Sequence, residues 1–282
     1  MLKAALTLLV VVAAVWLLVR LLESRLAFFP LAGETVTPRE FGLDYEASTI
    51  ESADGERLWA WELQPAFTET GPKAFAAEVQ GQRPLGRILY FHGNGGNLSL
   101  WAPVLAEIAR HGYSVLAFDY RGYGRSTGHP TETGLYRDVD AVLERFWSGT
   151  DSSRPVIYWG RSLGVAMAAY AATVRAPDGL ILESGFPDVR SLLGDSLLMS
   201  GLSRFSGYRF PAATFMQRVS APALVMHGDS DRVIPYEQGR LLFERIRGRK
   251  SFVTIRGGDH NDASPRDART YWAAVNDFSA GL

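Results

Sequence analysis

Beyond residue 30 the apolar and polar positions run in two alternating rhythms, and their order along the chain predicts the architecture. Six short, nearly continuous apolar runs have the composition of parallel strands buried on both faces: Ile88 to Phe91, Val115 to Phe118, Val156 to Trp159, Leu180 to Leu182, Ala223 to Met226 and Phe252 to Ile255. Between them lie segments of helical periodicity at about Leu98 to Arg110, Glu132 to Trp147, Val165 to Val174, Tyr236 to Arg247 and Asp267 to Phe278. Strand, helix, strand, repeated, predicts an α/β fold with a mostly parallel central sheet and helices on both faces. Upstream, Leu43 to Ile50 and Arg57 to Leu63 alternate around Ala53-Asp54-Gly55, which reads as an antiparallel hairpin.

Two stretches leave this rhythm. Pro65 to Pro84, with three prolines and two glycines, reads as a surface insertion without chemistry. From Phe186 to Ser220 apolar residues accumulate without a strand pattern, Leu192, Leu197, Leu198, Met199, Leu202, Phe210 and Phe215 among them. A small helical cap is expected at about 186–220, some of its residues lining an acyl pocket and the rest packing it down.

The N-terminus follows neither rhythm. Sixteen residues from Ala4 to Val19 carry no charge, with Lys3 and Arg20 at the flanks. That is somewhat short for a ~30 Å hydrocarbon core, but Leu21 and Leu22 extend it and the flanking cations can snorkel. Residues 1–29 therefore read as a single-pass membrane anchor and juxtamembrane segment, with Leu26, Phe28 and Phe29 at the interface. A cleaved signal peptide or a core helix is the alternative; no clean A-x-A spacing follows the apolar run. The anchor is expected to hold residues 30–282 at a membrane without contributing to a site.

Composition narrows the chemistry. Twenty-nine Lys+Arg against thirty Asp+Glu give a net charge of −1, so the basic footprint of a nucleic-acid binder is missing. Cysteine is absent, which removes thiolate metal sites and a cysteine nucleophile. The five histidines show no metal-ligand spacing, and the glycines match neither the P-loop nor the G-x-G-x-x-G pattern. No metal and no cofactor is implied.

One motif does carry chemistry. Gly160-Arg161-Ser162-Leu163-Gly164 follows an apolar strand and opens an alanine-rich helix, the context in which a strained turn lifts a serine hydroxyl above a sheet. Its base candidate is His260, after the last strand; His92 and His227 read as structural, His111 and His129 as solvated. Asp231 is the candidate acid, with Asp229 as a turn residue and fallback and Glu183 as a second fallback. Backbone amides at Asn94 and Leu163 are the candidate oxyanion hole.

Taken together, Tyr90-Phe91-His92-Gly93-Asn94-Gly95-Gly96-Asn97, Asp119 to Ser126, Gly160 to Gly164, His227 to Asp231 and His260-Asn261-Asp262 resemble the ordered motifs of the α/β-hydrolase superfamily. More narrowly, with the N-terminal run, they resemble its membrane-anchored ABHD-type serine hydrolases, a group that includes protein depalmitoylases. The resemblance implies Ser162 as nucleophile, Asp231 as acid and His260 as base, acting on a small-molecule or lipid-like acyl ester or thioester. An amidase or aminopeptidase of the same fold, or a silent membrane-tethered binding protein, is the competing reading. Val165 departs from the second glycine that many members carry after the serine turn.

Overall fold

A computed structural model describes residues 2–66, 85–148, 153–194, 201, 206–262 and 267–282. The apolar N-terminus forms one helix, α1 (Leu2–Ala27), and two residues later the chain makes a short strand, β1 (Phe29–Pro30). The expected hairpin follows as β2 (Tyr45–Glu51) and β3 (Arg57–Leu63), with Gly55 at φ +84° in its turn. Thereafter strands and helices alternate: β4 (Gly86–Phe91), β5 (Gly95–Gly96), α2 (Leu98–Arg110), β6 (Tyr113–Phe118), α3 (Glu132–Ser148), β7 (Val156–Arg161), α4 (Leu163–Val174) and β8 (Gly179–Glu183). Two short helices, α5 (Val189–Leu193) and α6 (Ala212–Met216), precede β9 (Ala223–Gly228), α7 (Tyr236–Arg245), β10 (Lys250–Ile255) and α8 (Ala268–Ala280).

Eight strands form one sheet in the order β10-β9-β8-β7-β4-β6-β3-β2. Its parallel part runs from β10 to β6; β3 pairs antiparallel to β6 and β2 antiparallel to β3. Because side chains alternate across a strand, each strand feeds two cores. Leu89, Phe91, Tyr158, Leu182 and Val225 pack on one face with α3, α4, α6 and α7. Ile88, Tyr90, Trp159, Ile181 and Met226 pack on the other with α2 and α8. Burial on both sides is why these strands read as apolar runs rather than alternating ones.

The strand order reverses at β4, which has β6 on one side and β7 on the other. In open α/β sheets the crevice beyond the carboxyl ends of the strands at such a point is where ligands sit. His92, Asp119, Ser162, Ser184 and Asp229 each lie one residue past a strand's carboxyl end.

The N-terminal helix departs from expectation in two ways. It runs eight residues past the charge-free segment, to a total of about 39 Å at 1.5 Å per residue, and its last turns are docked on the fold. Phe28, expected at an interface, is 3% exposed and packs edge-on against Tyr208 and Phe210. Glu23 is buried and accepts from the Gly207 amide at 2.8 Å. Strand β1 pairs in parallel with β5, Phe29 opposite Gly95 and Pro30 opposite Gly96.

Candidate active site

Ser162 sits between β7 and α4 with φ +56° and ψ −119°, a strained backbone of the kind concentrated at functional sites. The flanking glycines are there for contact as much as for the turn. A Cβ at Gly160 would fall on the Gly164 carbonyl group, and one at Gly164 on the backbone carbonyl of Phe91. Val165 is accommodated because it faces Gly185, two residues past β8, where a Cβ would have met its side chain at 2.7 Å.

From this turn the Ser162 hydroxyl lies 3.1 Å from His260 Nε2, and His260 Nδ1 lies 2.8 Å from Asp231 Oδ2. The three side chains come from loops after β7, β9 and β10 and are buried to within a tenth of their surface. With Asp231 ionised, His260 donates through Nδ1 and accepts from Ser162 through Nε2. Asp231 Oδ1 is held separately by the amides of Val233 and Ile234, at 2.9 and 2.8 Å. Burial acts to raise the Asp231 pKa, but hydrogen bonds from His227 and His260, the charge of His260 and the Ile234 amide outweigh it and hold the carboxyl well below the usual carboxylate range.

The loop after β4 lies directly against the serine. A Cβ at Gly93 would meet the Trp101 ring and stand 3.4 Å from Ser162 Cβ. Four successive carbonyls of this loop are taken up by side chains: His92 by the Tyr120 hydroxyl, Gly93 by His92 Nδ1, Asn94 by the Tyr123 hydroxyl and Gly95 by Trp101 Nε1. Burial lowers the His92 pKa to about 4, and because Nδ1 faces a carbonyl, which can only accept, the neutral ring carries its proton there. Among the described residues no backbone carbonyl accepts from the amides of Gly93 or Asn94. The Leu163 amide, at the first position of α4, has no intrahelical acceptor either. The Asn94 carboxamide reaches α1, donating to the Ala27 carbonyl at 2.7 Å.

Among the described residues Glu183 makes no bond to the His260 ring, whose Nδ1 meets Asp231. It pairs with Arg161 at 3.4 Å and accepts from Trp159 Nε1 and the Tyr271 hydroxyl at 3.0 and 2.9 Å. Arg161 in turn donates from Nη2 to the carbonyls of His260 and Asp262, both at 2.9 Å. This buried pair grips the backbone at His260 and two residues after it, and it escaped the sequence reading. Residues 159 and 161 share one side of β7, and Arg161 stands opposite Glu183 in the ladder.

Asp229 occupies the turn position expected of it, accepting from the Gly257 amide at 2.6 Å on the surface. His92 and His227 are fully buried and His129 is exposed, as expected. His111 differs. It caps the carboxyl end of α2 and stacks on Trp272 with ring centroids 3.5 Å apart, and burial lowers its pKa.

Of the expected cap, Leu197, Leu198, Met199, Leu202 and Phe205 lie outside the described residues, as does most of the Pro65 to Pro84 segment. The described part packs down onto the fold: Phe186, Phe210, Ala212, Ala213 and Met216 are buried in the α4 face of the core. Glu132 at the start of α3 fastens it by accepting from the amides of Arg209 and Phe210.

Residues 82–217 match the family described as serine aminopeptidase, S33. An uncharacterized protein of Mycobacterium tuberculosis is 31% identical over 258 residues, covering 91% of this chain and 86% of its own. The alpha/beta hydrolase domain-containing protein WAV2 of Arabidopsis thaliana is 30% identical over 292 residues, covering 93% and 89%. In architecture the chain is similar to the Pyrococcus furiosus esterase Pf2001, with a TM-score of 0.67 at 17% identity over 89% of this chain and 95% of that one.

Proposed function

From the premise that this chain belongs to the α/β-hydrolase family, we propose that it is a serine hydrolase cleaving carboxylic esters or thioesters through an acyl-enzyme. The carrying observation is the unbroken chain from Ser162 Oγ through both nitrogens of His260 to Asp231. In this reading His260 takes the Ser162 proton as Oγ attacks the acyl carbon, and Asp231 holds the ring in the required tautomer and stabilises the imidazolium. The amides of Asn94 and Leu163 receive the developing oxyanion. Collapse expels the alcohol or thiol with the proton from His260; water, activated by the same imidazole, then releases the acid and restores Ser162.

The serine aminopeptidase match over 82–217 favours amide cleavage as the second reading, since the same groups serve both. Labelling by a fluorophosphonate, with turnover of p-nitrophenyl esters, acyl thioesters and aminoacyl anilides by wild type and Ser162→Ala, separates the readings. Ester or thioester turnover lost in Ser162→Ala by roughly 10⁴-fold or more supports the proposal. Undiminished labelling of Ser162→Ala would overturn the nucleophile, and faster turnover of anilides would transfer the enzyme to the peptidases.

We also read α1 as a membrane anchor rather than a cleaved signal. Within Lys3–Ala27 an 18-residue window has a mean hydropathy of 2.6 and holds no buried residue. At about 39 Å it exceeds a ~30 Å hydrocarbon core, leaving its last turns outside. Those turns carry the contacts of Glu23 and Ala27 to the rest of the fold, which cleavage beyond them would sever.

A further inference from the structure

The loop beside Ser162 is tied to the root of α1 by a set of bonds that the proposed reaction does not itself use. Asn94 Nδ2 donates to the Ala27 carbonyl at 2.7 Å, one of the last four carbonyls of a helix, which have no acceptor role inside it. The Tyr123 hydroxyl donates, at 2.9 Å to each, to the Asn94 backbone carbonyl and to its Oδ1. One proton thus fixes both the peptide plane and the side chain of the same residue. Beyond them, the Leu31 amide donates to Gly96 O at 2.9 Å, and Asn97 Nδ2 donates to the carbonyls of Leu31 and Gly33 at 3.1 and 2.8 Å.

We propose that the root of α1, residues 23–31, is a positioning element for the candidate oxyanion hole, coupled to it through the Asn94 carboxamide and the Tyr123 hydroxyl. The inference rests on the serine-hydrolase reading above. An oxyanion hole works only if its amides are already aimed where charge will develop. The Asn94 amide shares its plane with the Gly93 carbonyl, which His92 Nδ1 holds; the adjoining plane between Asn94 and Gly95 cannot rotate without breaking the Tyr123 bond, and the Asn94 side chain cannot move without releasing Ala27. The neighbouring planes are held by the Tyr120, His92 and Trp101 bonds already described. Seating the apolar helix and aiming the loop amides are therefore one mechanical unit, in which α1 serves the site as well as the location of the enzyme.

The test uses the full chain reconstituted in phosphatidylcholine nanodiscs, with Asn94→Ala, Tyr123→Phe and the double variant beside wild type and Ser162→Ala. It measures kcat and KM for a p-nitrophenyl ester, inhibition by a trifluoromethyl ketone that forms a tetrahedral adduct, and Tm. Both single variants are expected to lose about tenfold in kcat at unchanged KM, with a matching loss of ketone affinity. The double variant should be no worse than the weaker single by more than about twofold, because the two act as one unit. Tyr123→Phe removes one oxygen atom and answers the question if Asn94→Ala does not fold. A kcat within twofold of wild type, or a change confined to Tm or KM, overturns the coupling. Turnover that survives in Ser162→Ala instead overturns the serine-hydrolase reading, whatever Asn94 and Tyr123 do.

Discussion

Asp231 is held by the imidazole of His260 and two backbone amides, with His227 beside it, whereas Asp229, two residues away, holds only a surface turn. Asp231→Asn is therefore expected to cost roughly 10³- to 10⁴-fold in kcat, against a few-fold for Asp229→Asn. The reverse ranking in steady-state kinetics would move the acid to Asp229. The depressed pKa of Asp231 also has a sign. Its folded value lies below the unfolded one of about 3.9, so its contribution to stability is fully present above that value and fades as pH falls toward the folded pKa. Urea unfolding at pH 7, 5 and 3 should show the gap between wild type and Asp231→Asn narrowing only at the lowest pH; a constant gap would contradict the assignment. Ser162, His260 and Asp231 were readable because each follows an apolar strand in a fixed order. Arg161 was not, since a buried cation has no periodicity and its partner Glu183 is 22 positions away along the chain. Arg161→Ala leaves that carboxylate buried and unpaired, a loss of about 3–5 kcal/mol. Arg161→Met with Glu183→Gln should recover part of it in the same unfolding experiment.

At the scale of elements, the turn between β7 and α4 depends on what its glycines touch. Gly164→Ala drives a Cβ onto the Phe91 carbonyl, where neither backbone can yield, while Gly95→Ala meets no atom within 4 Å. The first is expected to cost more than about 3 kcal/mol and the second less than about 1, measured as chemical denaturation of the two variants side by side. Comparable losses would mean that the two motifs matter only for their chain flexibility. Strand and helix identities were legible because burial on both faces leaves apolar runs and burial on one leaves a 3.6-residue stripe. What joins elements was not. The antiparallel pairing of β3 with β6 and the two-residue ladder of β1 with β5 depend on partners distant in sequence, which local periodicity cannot name. One local signal was present but unread: Thr37 and Glu40 form a capping box at the turn Pro38–Phe41.

For the whole molecule the decisive boundary is where α1 stops being a membrane segment and becomes part of the fold. Hydropathy marks what can enter a bilayer, so it placed the anchor at residues 1–29, but it could not register that Ala27 would meet Asn94 or Phe28 the cap. Two truncations test the boundary. A chain beginning at Glu23 keeps the Gly207 contact, buried Phe28, the Asn94 bond to Ala27 and the β1–β5 ladder; one beginning at Ala32 loses all four. Exposing the site that Phe28 fills costs about 3–5 kcal/mol on its own, and in a chain of this size each kcal/mol lowers Tm by about 2–4 °C. The longer truncation is thus expected to melt at least roughly 6 °C below the shorter and to lose most of its ester turnover. The shorter one, detached from the bilayer, should keep the kcat of the full chain within a few-fold. Equal melting temperatures and equal turnover for the two would show instead that the fold begins after residue 31 and that α1 is only a tether.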